Sequence, residues 1–273
     1  MTDRNPAIGV FDSGLGGASV LRELRRLLPA ETFLYVADQA HIPYGRRSLE
    51  EVERYVFGVA RWLFAGRAKA VVIACNTASA AALRSLREAW PERLFIGMEP
   101  AVKPAATTTR TGNVGVLATA ATFEGRLFES VVERFAEGVR VFRQTCPGLV
   151  EAVEAGDTDS PALVAMLEGW IAPLREAGID RLVLGCTHYP LAVDAIRRVA
   201  GPGIEVIDPS EAVARRTASV LAERGLLRED GAGGVLGFTT GDAAAFRERA
   251  GALLGEPFAV ESLAWNGGHD RVI

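Results

Sequence analysis

Lysine is scarce in this chain of 273 residues, where Lys69 and Lys103 are the two lysines among 30 basic residues. No block of basic residues occurs and the formal net charge is -4, which argues against a nucleic-acid-binding surface. No apolar run reaches the about 20 residues that a membrane-spanning helix needs, and residues 1–6 have no apolar signal core behind them. We therefore expect a cytoplasmic protein that binds neither nucleic acid nor membrane.

Cysteine is also scarce, with Cys75, Cys146 and Cys186 as the three in the chain. Three cysteines do not indicate a disulfide framework. The paired C-x2-C spacing of structural zinc sites is missing as well, so we expect no metal. A zinc ion held by Cys75, Cys186 and His188 remains an alternative. Cys146 precedes a proline and is interpreted as structural.

An apolar content of 49% and a charged content of 23% are typical of a globular protein with one large or two ordinary domains. Short apolar runs alternate with amphipathic patterns, which favours an α/β fold. We predict strands near residues 8–11, 32–37, 71–74, 94–98, 114–117, 139–144, 182–185, 204–208, 235–240 and 258–260. We predict helices near residues 18–28, 48–64, 79–90, 123–135, 148–155, 160–177, 191–199, 210–224 and 243–254. Residues 99–104 carry two prolines and are interpreted as a crossing between domains.

Two stretches of the chain repeat the same sequence pattern. Residues 71–79 and 182–190 each contain an apolar run, a cysteine, a polar pair and the start of a helical pattern, at an offset of 111 residues. Residues 8–14 and 114–120 repeat a second pattern at an offset of 106. These matches indicate an internal duplication. We expect Cys75 and Cys186 at the carboxyl ends of parallel strands, each before a helix N-terminus that lowers its thiol pKa.

A pair of matched thiols suits the inversion of an amino acid's Cα, in which one group removes a proton and another returns one to the opposite face. The alternative apparatus, a pyridoxal Schiff base, needs a lysine, and neither Lys69 nor Lys103 lies in a convincing motif. A route without a cofactor is therefore favoured. Each cysteine taken alone is more often just a small apolar residue at a strand end, but two at matching positions of a duplicated unit favour the chemical interpretation. The glycine-rich residues 12–17 are either an anion site or a plain tight turn.

The chain resembles the glutamate racemases, cofactor-independent enzymes that supply D-glutamate for peptidoglycan. The resemblance rests on residues 11–17 (FDSGLGG), 42–45 (IPYG), 75–79 (CNTAS) and 185–190 (GCTHYP). These motifs occur in the family's order and spacing across essentially the whole chain. The residues that follow the two cysteines favour the glutamate branch over the related aspartate and hydantoin racemases.

The resemblance implies that Cys75 and Cys186 are the two proton donors and acceptors. Asp12 and His188 would each assist one thiol, and Glu154 matches a family carboxylate near the second. The substrate contacts that it implies are Asp12, Ser13, Tyr44, Gly45, Asn76, Thr77, Thr119, Thr122, Thr187 and His188. Ala118 departs from the family, which usually has glycine before the first threonine.

The resemblance also implies two pseudo-symmetric α/β domains with mainly parallel sheets and an active site at the domain interface. The first domain would comprise residues 1–98 and 208–273, and the second residues 99–207. Periodicity alone leaves the place of the tail open, but the family returns it to the first domain. A homodimer is expected. We also expect that activity needs no cell-wall-precursor activator, because the first strand begins near residue 8. The rivals are an aspartate racemase and a two-lobed amino-acid-binding protein without catalysis.

Overall fold

A computed structural model describes residues 6–273. The expectations about a targeting segment or extension at the start of the chain concern residues 1–5 and lie outside the described residues. The strands are β1 (Ala7–Asp12), β2 (Thr32–Ala37), β3 (Ala68–Ile73), β4 (Phe95–Gly97), β5 (Asn113–Ala118), β6 (Arg140–Thr145), β7 (Arg181–Gly185), β8 (Glu205–Ile207), β9 (Gly234–Thr239) and β10 (Ala259–Ser262). The helices are α1 (Ala18–Leu27), α2 (Leu49–Ala65), α3 (Asn76–Ala89), α4 (Val102–Thr108), α5 (Ala120–Glu124), α6 (Arg126–Phe135), α7 (Leu149–Glu154), α8 (Pro161–Glu176), α9 (Val193–Ala200), α10 (Ser210–Glu223) and α11 (Ala243–Leu254).

The strands form two sheets in which all pairs of neighbours are parallel. The first has the order β10-β9-β2-β1-β3-β4 and the second the order β6-β5-β7-β8. The arrangement β2-β1-β3-β4 is therefore repeated, four strands later, as β6-β5-β7-β8. This repeat confirms the predicted fold class of two pseudo-symmetric α/β units with mainly parallel sheets.

The last two strands extend the first sheet. β9 pairs with β2 from Thr32↔Gly234 onward, and β10 pairs with β9. α10 lies against α1, whereas β8 still belongs to the second sheet. The tail strands thus return to the first sheet, while the stated boundaries, residues 1–98 with 208–273 and residues 99–207, stay a prediction.

Both faces of each sheet are covered, as expected for parallel sheets. Every residue of β1 is buried, with Leu21 and Leu24 of α1 in the core on one face and Val56 and Val59 of α2 in the core on the other. Two further cores lie on the two faces of the second sheet. Within residues 6–273, no helix combines the length and apolarity required to cross a membrane.

One helix, α4, was not predicted, and two predicted helices differ from the observed ones. α4 begins in the proline-containing stretch that we interpreted as a crossing. The helix tolerates Pro104 because this residue falls in its first turn, where a missing N–H costs no hydrogen bond. α3 begins at Asn76 instead of near residue 79. The single helix predicted near residues 123–135 is broken at Gly125, where a Cβ atom would lie 2.7 Å from the Cβ of Ala80 in α3.

Candidate active site

The two halves of the molecule enclose a cavity of about 170 Å³ at the carboxyl ends of the central strands. Ten of the predicted site residues line it, namely Ser13, Tyr44, Gly45, Cys75, Asn76, Thr77, Thr119, Cys186, Thr187 and His188. The other three, Asp12, Thr122 and Glu154, lie behind this wall and bond to residues that form it. The cavity therefore lies at the interface of the two halves, where the fold prediction located the active site.

Cys75 follows β3 and caps the N-terminus of α3, where its Sγ accepts a hydrogen bond of 3.4 Å from the N–H of Ala78. The hydroxyl of Ser13 lies 3.9 Å from the same sulfur. Burial and the nearby charge of Asp12 raise the pKa of the Cys75 thiol, and the helix N–H only partly opposes them. The expectation of a lowered pKa is wrong for Cys75, because the helix N–H lowers the pKa by less than desolvation of the buried thiolate raises it.

Cys186 follows β7 and lies beside an imidazole. The Sγ of Cys186 is 3.9 Å from Nδ1 of His188, whose Nε2 is 2.6 Å from Oε1 of Glu154. Burial lowers the pKa of His188, but hydrogen bonds to Cys186 and Glu154 outweigh it and raise the pKa well above 6.5. Burial likewise opposes ionisation of Glu154, yet the bonds from His188 and from the Leu15 N–H lower its pKa below 4.5. An ion pair of Glu154 and His188 therefore lies next to this sulfur.

Asp12 is fully buried at the end of β1. Its carboxylate accepts hydrogen bonds from the Gly14 N–H at 2.8 Å and the Thr187 hydroxyl at 3.1 Å. Burial raises its pKa, and the positive charge of His188 partly reverses that effect. Asp12 thus connects to the Cys186 motif through Thr187, and it acts on Cys75 through its charge.

The glycine-rich turn brings the two halves together. A Cβ atom on Gly16 would lie 2.6 Å from Nδ1 of His188 and 2.7 Å from the hydroxyl oxygen of Thr187. The N–H of Leu15, within the turn, donates to Oε1 of Glu154 at 2.6 Å. The anion held by this turn is therefore a carboxylate of the protein's other half.

Polar groups of the cavity are arranged to bind a polar ligand. The side-chain oxygen and nitrogen of Asn76 are buried, and within residues 6–273 neither has a hydrogen-bond partner. The hydroxyls of Thr77 and Thr119 are 2.9 Å apart, and Thr122 lies 2.9 Å from Thr119. These threonines connect α3 and α5 across the interface, although Ala118 occupies the position before Thr119 where the resemblance led us to expect a glycine.

Other lining residues were not predicted. They are Pro43, Arg46, Ala120, Thr145, Cys146, Pro147, Gly148, Val150 and Glu151. Arg46 and Glu151 form an ion pair of 2.5 Å between the two halves. Cys146, interpreted as structural, is buried and lies in the cavity wall, where burial raises its thiol pKa. It directly follows β6, so its strand-end position was a signal available in the sequence.

Metal binding finds no support in the described part of the chain, where no group of three His, Cys, Asp or Glu side chains is placed to hold an ion. Neither lysine lines the cavity. Lys69 pairs with buried Glu31 at 2.6 Å, and the Nζ of Lys103 lies 4.9 Å from the ring centre of Phe135. The cavity is lined by three thiols and the imidazole of His188, but by neither lysine.

Comparisons with known proteins agree with this site. The sequence model of the Asp/Glu/hydantoin racemase family matches residues 8–217. A glutamate racemase of Roseiflexus sp. is 54% identical over 241 residues, which are 88% of this chain and 89% of the relative. The crystal structure of a glutamate racemase isoform of Bacillus anthracis superposes with a TM-score of 0.88 at 34% identity, covering 94% of this chain and 97% of that one. The Escherichia coli glutamate racemase in complex with L-glutamate and the activator UDP-MurNAc-ala gives 0.82 at 31% identity, covering 95% and 98%. On these grounds the chain is an isomerase of the Asp/Glu/hydantoin racemase family.

Proposed function

We propose that the protein interconverts L- and D-glutamate without a cofactor, with Cys75 and Cys186 acting on opposite faces of the substrate. The observation that carries the proposal is the pair of buried thiols, which follow the equivalent strands β3 and β7 and line one cavity. The choice of glutamate rests on the relatives, which are named glutamate racemases.

Inversion at Cα exchanges two protons between the thiols and the substrate. In one direction the Cys186 thiolate takes the Cα proton, and the Cys75 thiol gives its own proton to the opposite face of the carbanion. The raised pKa of Cys75 keeps that thiol protonated and ready to donate. The His188 imidazolium, 3.9 Å from Cys186, attracts the negative charge on its sulfur. In the other direction the two thiols exchange roles.

The carbanion is stabilised by groups that hold the substrate's carboxylates. Asn76, at the first turn of α3, offers a buried amide that has no partner among residues 6–273, and the positive end of that helix attracts an anion. The hydroxyls of Thr77 and Thr119 lie at the adjacent wall. Hydrogen bonds to the carboxylate next to Cα strengthen as negative charge spreads onto it in the transition state.

The remaining parts of the proposal concern the cell. D-glutamate made by this protein would serve peptidoglycan synthesis, and with it cell-wall biogenesis and cell shape. We propose that the protein is cytoplasmic and forms a homodimer. Each subunit would have two domains, one of residues 1–98 plus 208–273 and one of residues 99–207. Neither lysine lines the cavity, which supports a mechanism without pyridoxal phosphate, because that cofactor is held as a Schiff base with a lysine.

The test is to incubate the purified protein with L-glutamate in deuterated water without added cofactor and to follow the circular dichroism. We expect the signal to decay to zero. Early product should carry deuterium at Cα while the remaining substrate stays protiated, starting from either enantiomer. A stable signal would favour a binding protein, and faster decay with aspartate would favour an aspartate racemase. Early deuteration of the unreacted substrate would contradict the use of two separate groups.

Cys75→Ala and Cys186→Ala examine the assignment of the two thiols. Each direction of the reaction uses both groups, so each variant should lose activity towards both enantiomers by about 10²–10⁴-fold or more. Unfolding temperatures measured alongside verify that the variants are folded. Normal racemisation by either folded variant would refute the assignment.

A further inference from the structure

Asp38 is a fully buried carboxylate that does not line the cavity. It directly follows β2, and four donors surround it. Its Oδ2 accepts from the hydroxyl of Tyr44 at 2.7 Å and lies 2.8 Å from Nδ1 of His41. Its Oδ1 accepts from the indole N–H of Trp265 at 2.6 Å and from the hydroxyl of Thr240 at 2.8 Å. A carboxylate has about four acceptor positions, so this one is fully used.

The donors to Asp38 come from distant parts of the chain. Tyr44 belongs to the segment that forms the cavity wall, whereas Trp265 lies in the C-terminal segment, defined here as residues 263–273. That segment is held to itself by a bridge between Trp265 and Val272. It is also held to α2, because a Cβ on Gly58 would lie 2.7 Å from the Trp265 ring. Asp38 therefore links the C-terminal segment to the cavity wall.

A second imidazole completes this link. Nε2 of His41 is 2.8 Å from Nδ1 of His269, an exposed residue whose φ of +50° lies in the left-handed region. The roles of the two ring nitrogens are linked, because in the tautomer whose Nδ1–H donates to Asp38 the Nε2 of His41 accepts from His269. The ring of His41 is also stacked on Tyr55 at 3.9 Å.

The position of Tyr44 affects the fit of the two halves. The next residue, Gly45, lies so close to Thr119 that a Cβ on it would be 2.7 Å from the Thr119 Cβ. Thr119 in turn bonds to Thr77. A shift of the Tyr44 ring would therefore move the Gly45–Thr119 contact and change the shape of the substrate cavity.

Gln39, the residue that follows Asp38, contacts the Cys186 side of the site. Gln39 accepts from the hydroxyl of Thr239 at 2.9 Å, and its amide nitrogen donates to Oε2 of Glu154 at 3.3 Å. Glu154 holds the His188 imidazolium. The turn that contains Asp38 thus contacts both the cavity wall and the ion pair beside Cys186.

We propose that Asp38 is a positioning residue for substrate binding, which acts through Tyr44, and that Trp265 of the C-terminal segment holds Asp38 in place. The inference rests on the proposed racemase function. Each bond to a charged, buried carboxylate is stronger than a neutral one, so its loss releases the partner it held. Because Tyr44 lines the cavity without bearing an exchanged proton, the loss should affect binding more than turnover.

The experiment compares Trp265→Phe with the same substitution at Trp62. Trp265→Phe keeps an aromatic ring near His41 but removes the N–H that faces Asp38. Trp62 packs on Phe238 at 4.7 Å in the same half of the molecule and does not line the cavity. We expect Trp265→Phe to raise KM for glutamate by about three- to tenfold with kcat within about twofold, and Trp62→Phe to leave both unchanged. Asp38→Asn, if folded, should raise KM by about tenfold or more.

A purely structural role gives a different result. Loss of folded protein lowers kcat without raising KM, and the unfolding temperature measured for each variant reports that loss directly. The proposal is overturned if Trp265→Phe leaves KM unchanged, or if both tryptophan variants change KM equally. Activity of the unaltered protein on glutamate tests the proposed function, whereas the ratio of variant to parent tests this inference alone.

Discussion

Cys75 and Cys186 follow equivalent strands, but different groups surround their sulfur atoms. The Cys75 sulfur has a hydroxyl and a backbone N–H beside it, with the charge of Asp12 nearby. The Cys186 sulfur has the imidazole of His188, which Glu154 holds by a bond of 2.6 Å. At the scale of single residues, the two thiols therefore occupy equivalent positions, but the charged groups near them differ: the carboxylate of Asp12 near Cys75 and the imidazolium of His188 beside Cys186.

Glu154→Gln should shift the pH dependence of the reaction. The carboxylate of Glu154 helps to raise the pKa of His188 above 6.5, so the imidazolium persists until the pH rises through that raised value. Without the carboxylate the pKa falls, and the imidazolium is lost at lower pH. We expect the alkaline limb of the kcat/KM profile to move to lower pH. Glu168→Gln, an exposed residue paired with Arg175, serves as the control. A profile identical to that of the unaltered protein would show that His188 does not need its charge.

At the scale of elements, the strands and their end residues were predictable because their signals are local. All six residues of β1 are buried, and the apolar run that forms it can be read from the sequence. Cys75 was predicted at a strand end, before a helix, because it follows such a run, and the structure has it between β3 and α3. The break at Gly125 was missed because the close approach that a side chain there would prevent involves Ala80, which lies 45 positions earlier in the printed sequence.

Longer-range contacts explain why Asp38 was missed as well. The donors Thr240 and Trp265 are 202 and 227 positions away along the chain. Nothing near Asp38 in the sequence distinguishes it from a surface residue at the start of a loop. The local pattern predicts that a strand ends there, but only the return of the tail to the first sheet brings the donors to it.

The glycine turn after β1 offers a prediction at the same scale. Gly16→Ala places a Cβ within 2.8 Å of the backbone nitrogen and 2.6 Å of the ring of His188, so the Cys186 motif must shift. A displacement of about 1 Å in a reacting group costs about 10²-fold in rate, which is the loss we expect in kcat. The control is Gly169→Ala in α8, where a Cβ meets no atom within 4 Å.

That control should gain about 0.5–1 kcal/mol in the free energy of unfolding, because alanine is a better helix former than glycine, and it should racemise normally. Urea unfolding together with the circular dichroism assay measures both quantities. Full activity of folded Gly16→Ala would mean that the two halves tolerate a wider separation than the structure has.

At the scale of the whole molecule, the repeat of strand order accounts for the location of the site. Each sheet presents the carboxyl ends of two equivalent strands to the cavity, β1 and β3 in the first sheet and β5 and β7 in the second. The duplication was visible in the sequence as two offsets of similar length. The way in which the halves face each other was not, because it depends on contacts between them, such as Leu15 with Glu154 and Thr77 with Thr119.

L- and D-glutamate have equal free energies in water, so the equilibrium constant of their interconversion is one for any catalyst. The ratio kcat/KM must then be identical for both enantiomers at every pH, however unlike the neighbours of the two thiols are. In the described part of the chain an imidazole lies beside Cys186 and none lies beside Cys75. Any residue that changes the ratio of the two kcat values must therefore change the ratio of the two KM values by the same factor. We expect His188→Asn to change kcat unequally for the two enantiomers while the two kcat/KM values, measured from full progress curves, remain equal to each other. Equal changes in kcat would mean that the imidazole affects both thiols alike. The different groups beside the two sulfur atoms would then not change the kcat values of the two enantiomers relative to each other.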